Sequence, residues 1–143
     1  MSHKTWVQPF PIRIHDVDAA GIVFFANYFI LAHDVYESFL AHVGHSISAA
    51  IEEKAVLVPV VESHCRYRRP MRHGETITGR LTIAQLKHSS FSVRTEFVGA
   101  DGVTRAELTV RHVCVNPVTM KPVPLPPDMH RALEEYRAPE PAE

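Results

Sequence analysis

Between Ala26 and Val43 the sequence predicts a helix with almost no side suited to water. Phe29, Ala32, Tyr36, Phe39, Leu40 and Val43 recur at three- and four-residue steps, which places them along one face. Tyr28, Leu31 and Val35 add apolar surface on another side. His33, Asp34, Glu37, Ser38 and His42 leave only a narrow polar stripe. A helix apolar over most of its circumference has to be wrapped by other elements. The rest of the chain supplies the wrapping, because its pattern changes to period two over 57–68, 76–86, 91–98 and 103–115. Phe91, Val93, Thr95 and Phe97 face one way, and Ala106, Leu108, Val110 and Cys114 share a face in the next strand.

The connections follow from composition. Gly99-Ala100-Asp101-Gly102 reads as a hairpin loop, Lys87-His88-Ser89-Ser90 as a tighter turn, and Arg69 to Gly74 as a third. Residues 5–14 read as an entering strand made irregular or late by Pro9 and Pro11. Gly44 is placed to stop the long helix, and a short helix over 48–54 takes Ser48 as its cap. The tail from Lys121 holds six of the eleven prolines, then a short helix over 128–137 capped by Asp128. The last residues, APEPAE, are expected to fray. One buried helix plus about five antiparallel strands is an α+β layer architecture in a single domain over residues 1–143.

Composition narrows the function. With 45% hydrophobic and 22% charged residues the chain is globular, and a net charge of −1 argues against a nucleic-acid partner. No apolar run suits a membrane span, and the N-terminus lacks the apolar stretch of a signal peptide. Cys65 and Cys114 are too few for a disulfide framework, which points to a cytoplasmic protein with reduced thiols. Ten histidines are spread nearly evenly, with no HExxH, no CxxC and no zinc-finger spacing, so no metal site is expected.

The chemistry-bearing segment is Asp16-Val17-Asp18-Ala19-Ala20-Gly21-Ile22-Val23-Phe24-Phe25-Ala26-Asn27-Tyr28. It sets a carboxylate in a glycine-containing loop just before a buried helix. A helix N-terminus offers unpaired N–H groups and the positive end of a dipole, which can hold a carbonyl oxygen turning negative. A carboxylate facing that carbonyl can attack it or activate water. The residues alone equally allow, and by themselves favour, aspartates that make loop and capping hydrogen bonds.

The segment resembles the signature of the 4-hydroxybenzoyl-CoA thioesterase family of hot-dog enzymes, an Asp-x-Asp-x-x-Gly-hydrophobic-hydrophobic-aromatic run closing on Asn-Tyr, and the likeness extends over roughly residues 12–127. Further pieces, VPVVESHCRYRRPMRHGE, RHVCVN and PLPP, look like the branch acting on 1,4-dihydroxy-2-naphthoyl-CoA. The resemblance implies a hot-dog fold, with a sheet of about five strands around the central helix. It implies an acyl-CoA thioesterase in which Asp18 is nucleophile or general base and the Phe25 amide polarises the thioester carbonyl. Gly21, Asn27, Tyr28, His33, Glu62 and His64 become candidate substrate contacts, and Lys87, His88, Ser89 and Ser90 candidate coenzyme A contacts. Asp16 is read as a loop organiser, and Arg66, Arg68, Arg69 and Arg72 as further cations for phosphate. No cofactor is implied, since coenzyme A belongs to the substrate. A homodimer, commonly a dimer of dimers, is implied as well, and edge-to-edge pairing would cover an open sheet edge. The alternatives are a short-chain aliphatic acyl-CoA thioesterase, a silent acyl-CoA binder, a hot-dog hydratase, and Glu37 rather than Asp18 as the carboxylate.

Overall fold

The computed structural model describes residues 3–139. Five antiparallel strands form one sheet in the order β1-β3-β4-β5-β2: β1 (Trp6–Pro11), β2 (Val60–Tyr67), β3 (Thr76–Leu86), β4 (Ser90–Gly99) and β5 (Thr104–Val113). The central helix α1 (Asn27–His42) lies against one face of the sheet, with a short α2 (Ile47–Glu53) after it and α3 (Pro127–Glu134) near the C-terminus. Among the described residues no helix is long and apolar enough to cross a membrane.

The core is built from alternate strand positions meeting the apolar sides of α1. Ile77, Leu81 and Ile83, then Phe91, Val93 and Phe97, then Ala106 and Leu108 are buried against Val35, Tyr36, Phe39 and Leu40. The period-two and three-to-four-residue patterns thus point at each other, as expected. Helix and sheet approach closely at Gly79, where an added Cβ would lie 2.8 Å from Cγ2 of Val35. Val35 is fully buried and stiff at χ1, so it has nowhere to turn. Gly79→Ala is therefore expected to cost about 1–3 kcal/mol through overpacking. Urea unfolding with an unchanged slope and a lower midpoint would show it.

Several boundaries differ from the expectation, each for a local reason. The two prolines do not disturb β1, because β1 is an edge strand and Pro9 and Pro11 take its exposed, alternating positions. The cap of α2 is Ser46 rather than Ser48: the Ser46 hydroxyl accepts from the Ala49 N–H at 3.2 Å, the geometry of a cap to the third helical residue. Asp128 does not cap α3. Pro126 is the cap residue and Pro127 the first residue of the helix, and Asp128 sits inside the first turn, paired with Arg131. The end of α1 is as expected, with Gly44 at φ +87° and the His45 N–H returning to the Leu40 carbonyl.

The C-terminal segment extends the sheet edge where β1 stops. The Ile83 N–H donates to the Tyr136 carbonyl and the Ala138 N–H to the Ile83 carbonyl, both at 2.9 Å. Ala138 is buried there, so the fraying expected of APEPAE does not begin at its first residue. Residues 140–143 lie outside the described residues.

Candidate active site

The loop before α1 is a small closed hairpin. Val17 pairs with Val23, the Asp18 N–H donates to the Ile22 carbonyl at 2.9 Å, and the Phe24 N–H donates to the Asp16 carbonyl at 3.0 Å. Asp18 to Gly21 forms its turn, closed by the Gly21 N–H on the Asp18 carbonyl at 2.9 Å. Gly21 stands at φ +77° with open space where a side chain would be, so the backbone conformation, not crowding, requires glycine.

The two aspartates divide the work. Asp16 is only 8% exposed. Its Oδ2 accepts from the Arg13 N–H at 2.8 Å, and its carbonyl also takes the Asn27 Nδ2 at 2.9 Å. It organises the loop, as read from the sequence, and Asn27 pins that loop to the first residue of α1. Asp18 is exposed, and its Oδ1 accepts from the Ala20 N–H at 2.8 Å. Among the described residues its Oδ2 has no protein partner. At the other end of the loop, among the described residues, the Phe25 N–H meets no protein acceptor. One carboxylate oxygen and one amide are thus left for something else, at the two ends of one braced loop.

Beyond Phe25, successive turns of α1 line a cavity of about 160 Å³ between helix and sheet. Phe29, Ala32, His33 and Tyr36 form its helix side, and Val60, Ser63, Thr95 and His112 are among the facing strand residues. Burial pushes the Tyr36 hydroxyl well above its ordinary pKa, so it stays protonated.

The candidate contacts fall into groups. His33 lines the cavity. Tyr28 does not line it; it is buried in the core, edge-on to Tyr67 with ring centroids 4.8 Å apart. Glu62 and His64 are exposed and do not line it, while Ser63 between them does. The bulge between Val60 and Glu62 explains the phase: Val61 is extra, so Val60 and Ser63 both turn toward α1. Lys87, His88, Ser89 and Ser90 form the β3–β4 turn, with the Lys87 N–H on the Ser90 carbonyl. That turn stands at the far end of β3 from Asp18, whose loop is bonded to Met71 and His73 ahead of β3. Eleven residues of strand separate them, or roughly 35 Å at the rise of a β-strand. Within one chain the structure does not bring these groups together. The basic residues bonded to the Asp18 loop are instead Arg72, which pairs with Ile22, and His73, whose N–H donates to the Gly21 carbonyl. Arg68 is held by Glu107 at 3.1 Å.

Residues 12–133 match the Thioesterase-like superfamily. The chain belongs to that family. It is similar to the 1,4-dihydroxy-2-naphthoyl-CoA hydrolase of Rippkaea orientalis, 33% identical over 116 residues that cover 80% of this chain and 84% of the relative. The hydrolase of the same name from Microcystis aeruginosa is 31% identical over 115 residues, covering 80% and 83%. Among solved structures, a 1,4-dihydroxy-2-naphthoyl-CoA thioesterase from Synechocystis superposes with a TM-score of 0.87 at 26% identity, covering 92% of this chain and 97% of that one. A gentisyl-coenzyme A thioesterase superposes with a TM-score of 0.78 at 29% identity, covering 86% and 98%. The hot-dog fold expected from the loop signature is the fold of this thioesterase-family chain.

Sequence reasoning missed Thr95, Tyr36 and His112 as wall residues of this thioesterase-family cavity. A signal for His112 was present. It continues the series Ala106, Leu108, Val110, so a titratable ring sits among inward-facing positions. Among the described residues no group of three or more His, Cys, Asp or Glu side chains is placed to hold a metal ion.

Proposed function

We propose that this protein hydrolyses aromatic acyl-CoA thioesters, of the 1,4-dihydroxy-2-naphthoyl-CoA or 4-hydroxybenzoyl-CoA kind, to the carboxylate and free coenzyme A. The observation that supports it most is the free Asp18 oxygen and the free Phe25 amide on one braced loop, at the head of a helix whose next turns line a cavity with aromatic walls. Asp18 is nucleophile or general base, and the Phe25 N–H stabilises the oxyanion. Water supplies the oxygen that ends on the acyl carbon, the carbon–sulfur bond breaks, and the thiolate leaves with the coenzyme. The scheme calls on no cofactor. Aromatic walls at Phe29 and Tyr36 favour an aromatic over an aliphatic acyl group.

The working unit is a homodimer, paired again into a dimer of dimers. The dimer is supported by β2, an edge strand whose Val60 and Val61 are 49% and 50% exposed, and by Phe25, 63% exposed beside it. Two-fold antiparallel pairing through β2 would set the Lys87–Ser90 end of a second copy alongside Asp18. The coenzyme A contacts would then come from across the interface. A cytoplasmic setting accords with the two free cysteines.

Free-thiol release from naphthoyl, benzoyl, phenylacetyl and C2–C12 aliphatic thioesters tests the activity. Turnover is expected on aromatic members. Equal turnover of all chain lengths, or turnover of aliphatic members alone, would overturn the aromatic assignment. Binding of coenzyme A with no turnover would leave a binder.

A further inference from the structure

One wall of the cavity has no part in the hydrolytic scheme. His112 on β5 is 3% exposed and packed against two rings that also neighbour each other, 4.7 Å from Tyr36 at 25° and 5.1 Å from Phe91 at 13°. The ring is therefore held in one plane. Its Nδ1 lies 3.2 Å from the Val58 carbonyl oxygen. A carbonyl oxygen can only accept, so Nδ1 carries the hydrogen and Nε2 keeps a lone pair in the neutral ring. Burial pulls the imidazole below its ordinary pKa of 6.5, against the opposing pull of the Val58 bond, so the ring is neutral at pH 7. Among the described residues Nε2 has no hydrogen-bond partner.

We propose that His112 selects the acyl group: its Nε2 accepts a hydrogen bond from a hydroxyl on the substrate's aromatic ring, so the cavity takes a phenolic ring in preference to the same ring without the hydroxyl. This rests on reading the cavity as the acyl site. The other polar groups in the wall do not discriminate in this way. The hydroxyls of Ser63, Thr95 and Tyr36 both donate and accept, so they suit many partners. Nε2 accepts only, and an aromatic C–H leaves it unpaired in an apolar wall. The space adds a constraint. A cavity of about 160 Å³ is close to the ~150 Å³ that takes a benzene-sized ligand, so a ring inside it lies against the walls.

The test compares binding of non-hydrolysable thioether analogues of benzoyl-CoA and of its three monohydroxy isomers to wild type and to His112→Phe, which keeps a stacked ring and removes the acceptor. Wild type is expected to bind at least one hydroxylated isomer about tenfold more tightly than the parent, the scale of one buried hydrogen bond. His112→Phe is expected to bind the parent as before and to lose the contrast. Equal binding of all four by wild type, or a contrast that survives His112→Phe, overturns the inference. Thiol release from the matching thioesters separates it from the hydrolase reading: a binding contrast lost in His112→Phe, with every thioester left intact by wild type, overturns hydrolysis alone. Should His112→Phe fail to fold, the imidazole nitrogen resonances of wild type give the answer. Nε2 moves on binding the preferred hydroxylated analogue and not the parent; identical spectra overturn the inference.

Discussion

Asp18→Asn is expected to lower kcat/KM for aromatic acyl-CoA hydrolysis by at least about two orders of magnitude, the size of loss for removing a catalytic acid–base or nucleophilic group. The substitution separates chemistry from structure. Asn keeps an oxygen where Asp18 accepts from the Ala20 N–H, so the turn closing on Gly21 survives. What is lost is the negative charge and the free second oxygen. Thermal unfolding should therefore move little while thiol release collapses. If turnover persists, the chemistry lies with another carboxylate, and Glu37 on the exposed side of α1 is the next residue to change.

Phe39→Ala is expected to destabilise the fold by about 3–5 kcal/mol, the usual cost of emptying a fully buried aromatic site. Phe39 joins three parts of the molecule. It stands on the central helix, belongs to the core formed with the sheet, and meets the Tyr136 ring edge-on with centroids 4.8 Å apart. Tyr136 lies in the segment bonded to Ile83 at the sheet edge. The cavity left behind cannot collapse without moving helix, sheet and C-terminal segment together. Equilibrium urea unfolding should show a lower midpoint at unchanged slope. A shift worth less than about 1 kcal/mol would mean that the surroundings relax into the space, against the rigidity ascribed to close-packed interiors.

Much of the fold was legible because burial imposes a period. The expected strand over 76–86 is β3 to the residue, and α1 runs from Asn27 to His42 where 26–43 was expected. Those elements bury one face or nearly all of it, so their apolar spacing is strong. The elements read less well are those fixed by hydrogen bonds or by position in the sheet. Ser46 and Ser48 are equally good caps on paper, and only the bond to Ala49 decides between them. Pro9 and Pro11 look disruptive until β1 is known to be an edge. The loop signature led to Asp16 and Asp18, but their difference in burial follows from the bonds to Arg13 and Asn27.

What the sequence by itself determined is the architecture and the family. An apolar helix and four period-two strands bury their surfaces in few ways, and Asp16 to Tyr28 carries a pattern specific enough to name relatives. What only the tertiary structure decided is which residues share a space. Strand alternation turns on phase, and the single extra residue Val61 shifts the phase of β2, so that Ser63 rather than Glu62 or His64 faces the cavity. Lys87 to Ser90 resembled a coenzyme A turn, yet β3 holds it at the opposite end of the sheet from Asp18. His112 became a cavity wall through the two rings packed against it and the Val58 carbonyl that sets its tautomer. Each of these is a relation between residues distant in the chain, and local spacing has no means of recording it.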